Sequence, residues 1–86
     1  MYELNPDIAS KQLDDGKSVL VDGKTRKFFA INETGSVIWN GLKEDKSADE
    51  ITLLLTIDFA IDREEARGHV DEFIDRLISD GILIQK

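Results

Sequence analysis

Apolar positions along this chain change their spacing at Asn32. Before it, Ser18-Val19-Leu20-Val21 is apolar and β-branched, and Phe28-Phe29-Ala30-Ile31 is an apolar run behind two cations, Arg26 and Lys27. Short runs rich in aromatic and β-branched residues read as strands rather than helices. Asp22-Gly23 between them is a hairpin signal, with Gly23 able to take positive φ. Arg26–Ile31 is therefore expected to return antiparallel to Ser18–Val21. Ile8–Leu13 alternates weakly and, with the turn Asp14-Asp15-Gly16, makes a candidate first strand. Residues 1–6, closed by Pro6, read as a frayed lead-in.

After Asn32 the period is helical. Ile38, Trp39 and Leu42 recur on one face, placing the single Trp in the core. Asn32 is a suitable N-cap because its side-chain oxygen can accept from an orphan N–H of the first turn, and Glu33 suits the positive helix end. This helix is expected over Glu33–Leu42, stopping around Gly41 and Lys43-Glu44-Asp45-Lys46. Ser47-Ala48-Asp49-Glu50 is a capping box, and a second helix follows through Ile51, Leu54 and Leu55 to near Asp58. Asp62-Arg63-Glu64-Glu65 is another, with Ile61 and Ala66 as a hydrophobic staple. Ala66, Val70, Phe73, Ile74, Leu77 and Ile78 then form the apolar stripe of a third helix, and Gly81 stands where a C′ glycine belongs. Ile82-Leu83-Ile84 packs back as a strand or an apolar tail. Strands followed by three helices predict one α+β domain over residues 1–86. The layout is that of a winged helix-turn-helix: a three-stranded antiparallel sheet packed on a three-helix bundle.

Composition narrows the function. The chain has 86 residues and no cysteine, so neither disulfides nor thiolate metal sites hold it together. Its stability should be about 4–13 kcal/mol on the per-residue rule. There is no signal peptide and no run approaching a membrane span, so a cytoplasmic protein without membrane contact is expected. Eleven basic residues against 18 acidic ones give a net charge of −7, which disfavours a life on phosphate backbones. The third helix sets Arg63, Arg67 and Arg76 against Glu64, Glu65, Asp71, Glu72, Asp75 and Asp80. A winged-helix DNA-binding regulator would present such a helix to phosphate and be repelled.

Signals for chemistry are poor. A single His and no Cys leave no Cys–His pair or redundant triad. His69 lies at the edge of the third-helix stripe, where half-buried packing accounts for it. The carboxylate pairs fall at turns and helix starts, and adjacent helical residues do not face each other. No calcium-loop spacing and no glycine-rich phosphate loop is present. No catalytic residue, metal or cofactor is expected.

What remains is an edge. If the sheet follows chain order, Arg26–Ile31 lies at its rim, with unpaired N–H and C=O groups that native proteins usually shield. Phe29 and Ile31 alternate with Phe28 and Ala30, so both faces of the strand are apolar. Either one set packs on the helices and Phe28 is a tolerated exposed aromatic, or strand and helix form a groove that accepts an extended peptide by strand addition. A generic adaptor for a folded partner is a further alternative.

The run Phe29-Ala30-Ile31-Asn32-Glu33-Thr34-Gly35-Ser36-Val37-Ile38-Trp39, then Ser47-Ala48-Asp49-Glu50-Ile51, then Val70-Asp71-Glu72-Phe73-Ile74 through Leu77 to Gly81-Ile82-Leu83, resembles the PqqD-like family over about Ser18–Leu83. These are precursor-peptide recognition elements of ribosomal peptide natural-product pathways. The resemblance implies a domain that binds a leader segment as an added strand between the third strand and third helix. It also implies a separate maturation enzyme as partner, such as a radical enzyme or a leader peptidase. Carried over, the groove's strand is Arg26, Lys27, Phe28, Phe29, Ala30 and Ile31, and its helix is Asp62–Asp80. Of the two helix flanks, the one carrying Arg67, Val70, Asp71 and Ile74 is expected to face the groove, rather than the one with Ala66, His69, Phe73 and Leu77. The turn Lys43–Lys46 lacks the Asp-Gly typical of members serving quinone-cofactor synthesis, which suits a lasso-peptide or another peptide pathway at least as well.

Overall fold

The computed structural model describes residues 2–85. In chain order it runs β1 (Tyr2–Leu4), β2 (Ile8–Gln12), β3 (Ser18–Asp22), β4 (Phe28–Ile31), α1 (Glu33–Lys43), α2 (Ala48–Phe59), α3 (Arg63–Ser79) and β5 (Leu83–Gln85). The fold is α+β. β2, β3 and β4 form an antiparallel sheet in chain order, with Leu20 opposite Phe29 and Ser18 opposite Ile31. Tyr2–Leu4 is not a frayed lead-in. It pairs antiparallel with β5, Leu4 opposite Leu83, in a second small sheet. Three residues are too short a window for an alternation signal, and the partner lies at the far end of the sequence.

The β3–β4 turn is wider than a two-residue hairpin. The Asp22 carboxylate accepts the N–H groups of Lys24 at 2.8 Å and Thr25 at 3.2 Å. Arg26, not Gly23, takes the left-handed conformation, at φ 62°, and donates its N–H to the Asp22 carbonyl at 2.7 Å. Gly23 instead donates to the Asp7 carbonyl at 2.8 Å, continuing the ladder toward β2. The strand expected over Arg26–Ile31 therefore begins only at Phe28.

Caps locate the helices. Ser47 and Glu50 form the reciprocal box of α2, at 3.1 and 3.0 Å, and Asp62 accepts the Glu65 N–H at 2.8 Å. α3 ends with Gly81 at φ 75° and the Ile82 N–H bonded to the Leu77 carbonyl at 2.9 Å, a Schellman closure. α1 does not stop at Gly41. It runs to Lys43 and closes through Asp45, the left-handed residue at φ 61°, with the Lys46 N–H on the Gly41 carbonyl. Gly41 is instead a packing residue, since a Cβ there would sit 2.6 Å from Ile51 Cγ1.

β4 passes into α1 through one residue. Asn32 Oδ1 accepts the Gly35 N–H at 2.8 Å. A Cβ on Gly35 would collide with Ile31 Cγ2 and lie 3.0 Å from Phe73 Cε1, so a side chain is excluded where β4, α1 and α3 meet. Beneath the joint, the buried hydroxyls of Ser18 and Ser36 share a 2.7 Å hydrogen bond. Leu20, Ile31, Ile38, Trp39, Ile51, Leu55, Val70, Ile74, Leu77 and Leu83 belong to one buried cluster.

Ile31→Asp should unfold the domain, because a charge without a partner would sit at a position only 6% exposed. The expected loss exceeds about 4 kcal/mol, and a variant with an unchanged urea transition would overturn the placement. Acid should also weaken the fold. The Lys24 and Thr25 N–H groups hold the Asp22 carboxyl below its ordinary range, and the Ser47 N–H does the same for Glu50. Both stabilise the folded chain above the unfolded carboxylate range of about 4, and that contribution is lost as pH falls through their depressed folded values. Urea midpoints should fall with acidification below that range, and Asp22→Asn should flatten the fall.

Candidate functional site

β4 is a true edge. The Asp22 N–H donates to the Lys27 carbonyl at 2.9 Å, so positions 22 and 27 are a hydrogen-bonded pair. Antiparallel alternation then bonds Phe29 to Leu20 and Ile31 to Ser18. The N–H and C=O groups of Phe28 and Ala30 consequently point away from β3. Among the described residues no strand meets them, because β5 pairs with β1 instead.

Beside that edge runs α3. A shallow groove is lined by Phe29, Ala30 and Ile31 from β4 and by Phe73, Arg76, Leu77 and Asp80 from α3, over Leu20 and Ile82. Phe73 and Arg76 also border a recess of about 260 Å³ at the N-terminus of α1, where Asn32, Thr34, Gly35, Ile38, His69 and Glu72 complete the wall. Groove and recess are thus neighbours that share two side chains, the two parts of one channel along α3. A larger hollow of about 340 Å³ lies between β1, β5 and the start of α2, lined by Tyr2, Leu4, Leu42 and Ile74 among others, and does not include β4. No group of three or more metal-ligating side chains occurs among the described residues, and no described helix is long and apolar enough to cross a membrane.

The structure divides the residues singled out from sequence. Phe28 is 73% exposed, and Ala30 is exposed with it on the sheet's outer face. Phe29 is half-buried on the inner face, and Ile31 is core. Arg26 and Lys27 are exposed in the turn that leads into the strand. On α3 the flank expected to face the groove does not line the groove beside β4. Val70 and Ile74 are 0% and 3% exposed and belong to the core. Arg67 bonds Asp49 at 2.6 Å and Asp71 at 3.0 Å, which ties α3 to the start of α2 and keeps the guanidinium firmly charged. The flank that meets β4 carries Phe73, Arg76, Leu77 and Asp80. His69 is exposed at the channel's end rather than half-buried. Gly35 was the available signal, for a residue without a side chain marks where a neighbour comes closest.

A small α+β domain with an open edge strand lying along a helix has the geometry that strand addition uses. The family described as Coenzyme PQQ synthesis protein D (PqqD) matches residues 17–83, and the chain belongs to it. Two solved structures align over nearly the whole chain. One, "TbiB1 in Complex with the TbiA(beta) Leader Peptide", is 26% identical with a TM-score of 0.85 over 94% of this chain and 93% of that one. The other, "Lasso peptide synthetase B1 complexed with the leader peptide", is 25% identical with a TM-score of 0.87 over 98% of each. No match emerges among curated proteins.

The two α3 flanks can be told apart by mutation. Val70→Asp should abolish the cooperative urea transition, whereas Phe73→Ser should leave a folded domain. A folded Val70→Asp protein would return that residue to the surface. Arg67→Ala should leave the urea midpoint almost unchanged, because exposed ion pairs contribute little.

Proposed function

We propose that this protein binds the leader segment of a ribosomally made precursor peptide as a strand added to β4, and presents it to a separate modifying enzyme without catalysing a reaction itself. The observation that carries this reading is the unpaired outer edge of β4 beside α3, in a chain similar to two solved structures that are complexes with leader peptides. The outward N–H and C=O groups of Phe28 and Ala30 supply the backbone bonds. On the outer sheet face the exposed Phe28 ring gains a cross-strand neighbour, which removes apolar surface from water. Alternate peptide side chains turn inward over Phe29 and Phe73. The groove there is shallow, so a bulky anchor fits better in the recess by Thr34, His69 and Glu72. Charged leader residues meet Arg26 and Lys27 at one end and Arg76 and Asp80 along α3. The similarity to a lasso peptide synthetase B1 favours a peptide natural-product pathway, with a leader peptidase or a radical enzyme as the partner.

Titration of the labelled protein with the leader peptides encoded beside its gene should shift resonances of β4, Phe73 and Arg76. Amide exchange should slow at Phe28 and Ala30, while Phe29 and Ile31, already bonded to β3, change little. Phe28→Asp should weaken binding by about tenfold or more and lower the urea midpoint only slightly. If no encoded peptide protects those two amides, the strand-addition reading falls.

A further inference from the structure

α2 carries apolar side chains on two faces, and the fold uses one. Ile51 and Leu55 are fully buried in the core. Leu53 and Ile57, one turn apart on the opposite side of the helix, are 57% and 68% exposed. Thr56 beside them donates its hydroxyl to the Leu53 carbonyl at 2.7 Å, so that polar group is already engaged within the helix. A helix apolar on all sides belongs between two layers, and this one has a layer on one side only. Phe28, the other strongly exposed apolar residue, is taken up by an added strand. The α2 strip is not.

Charge indicates what covers it. Glu50 and Asp58 lie near the strip, are exposed and have no cation bound to them among the described residues, whereas Asp49 is already paired with Arg67 of α3; the stretch from Ser47 to Asp62 itself contains no Lys or Arg. A second copy of this chain would set the same acidic border against itself, with −7 facing −7. A heterologous surface with an apolar centre ringed by basic side chains fits both features. Position matters as well. α2 adjoins the α3 flank bearing Arg67 and Asp71, whereas β4 lies along the flank bearing Phe73 and Leu77. The strip is therefore accessible while a peptide occupies β4.

We propose that Leu53 and Ile57 dock the modifying enzyme, through an apolar patch ringed by Lys or Arg on that enzyme, while the leader lies on β4. The enzyme's identity as the occupant rests on the peptide-presentation reading. Acidic border and apolar centre divide the work: the border steers encounter and makes it salt-dependent, and the two aliphatic side chains hold the complex.

The test titrates each purified modifying enzyme encoded beside the gene into the wild-type protein and into Leu53→Lys/Ile57→Lys, at low and high salt, with leader peptide titrated in parallel. One enzyme should bind the wild type, more weakly as salt rises, and the variant should lose about tenfold or more in affinity. Leader affinity should stay within about twofold, since the sites are distant. Leu53→Ser/Ile57→Ser, which adds no charge, should reproduce the loss if the lysine variant folds poorly. Enzyme binding unchanged in a folded variant would overturn the proposal, as would a failure of every encoded enzyme to bind the wild type. A wild-type dimer in sedimentation that either variant dissociates would also overturn it, by assigning the strip to a second copy. If an enzyme docks as described but no leader peptide binds, the docking surface stands and the strand-addition reading is the one that fails.

Discussion

One hydrogen bond and one missing side chain fix the geometry on which the rest of this fold depends. The Asn32 carboxamide caps α1 through the Gly35 N–H, so the chain leaves β4 and enters the helix with no intervening loop. The bare Cα at Gly35 lets the Ile31 and Phe73 side chains both close over the joint. Strand, first helix and third helix thereby share a vertex, and the distance between β4 and α3 is set there. A loose connection would leave the channel's width to fluctuate. A rigid one makes it a property of the backbone, available before any ligand arrives.

The open edge runs against the usual management of β-sheets. β4 contains no proline, no lysine and no inward-pointing charge to discourage pairing, and its most exposed member is an aromatic residue. The two cations stand before the strand, in the turn. Such an edge invites self-association, and the large negative charge of the whole molecule opposes it at long range. An edge left open under those conditions makes physical sense where an extended chain is a regular visitor.

Much of this architecture was legible because it is written locally. The β3 and β4 runs, the caps at Asn32, Ser47 and Asp62, and the closing Gly81 each depend on a few adjacent residues, and each appears where expected. The β3–β4 turn departs for a local reason, the Asp22 carboxylate binding Lys24 and Thr25, and the other departures depend on distant partners. Tyr2–Leu4 becomes a strand only because Leu83–Gln85 lies beside it. Gly41 serves Ile51 rather than ending α1. Which α3 flank adjoins β4 is not legible in the sequence, because Ala66, Val70, Ile74 and Leu77 form a buried stripe and periodicity does not say which shoulder of it lies toward the sheet. The edge position of β4 was legible, and the side of α3 beside it was not.

The pairing of β1 with β5 has a consequence for how such a domain can be deployed. Tyr2 stands opposite Gln85, so the two ends of the described chain emerge side by side, in a sheet separate from the one that carries β4. Another polypeptide could be joined before or after these residues at the same place on the surface, with β4 left uncovered. A recognition module with neighbouring termini is readily inserted or appended. Either way, the open edge of β4 keeps the same surroundings.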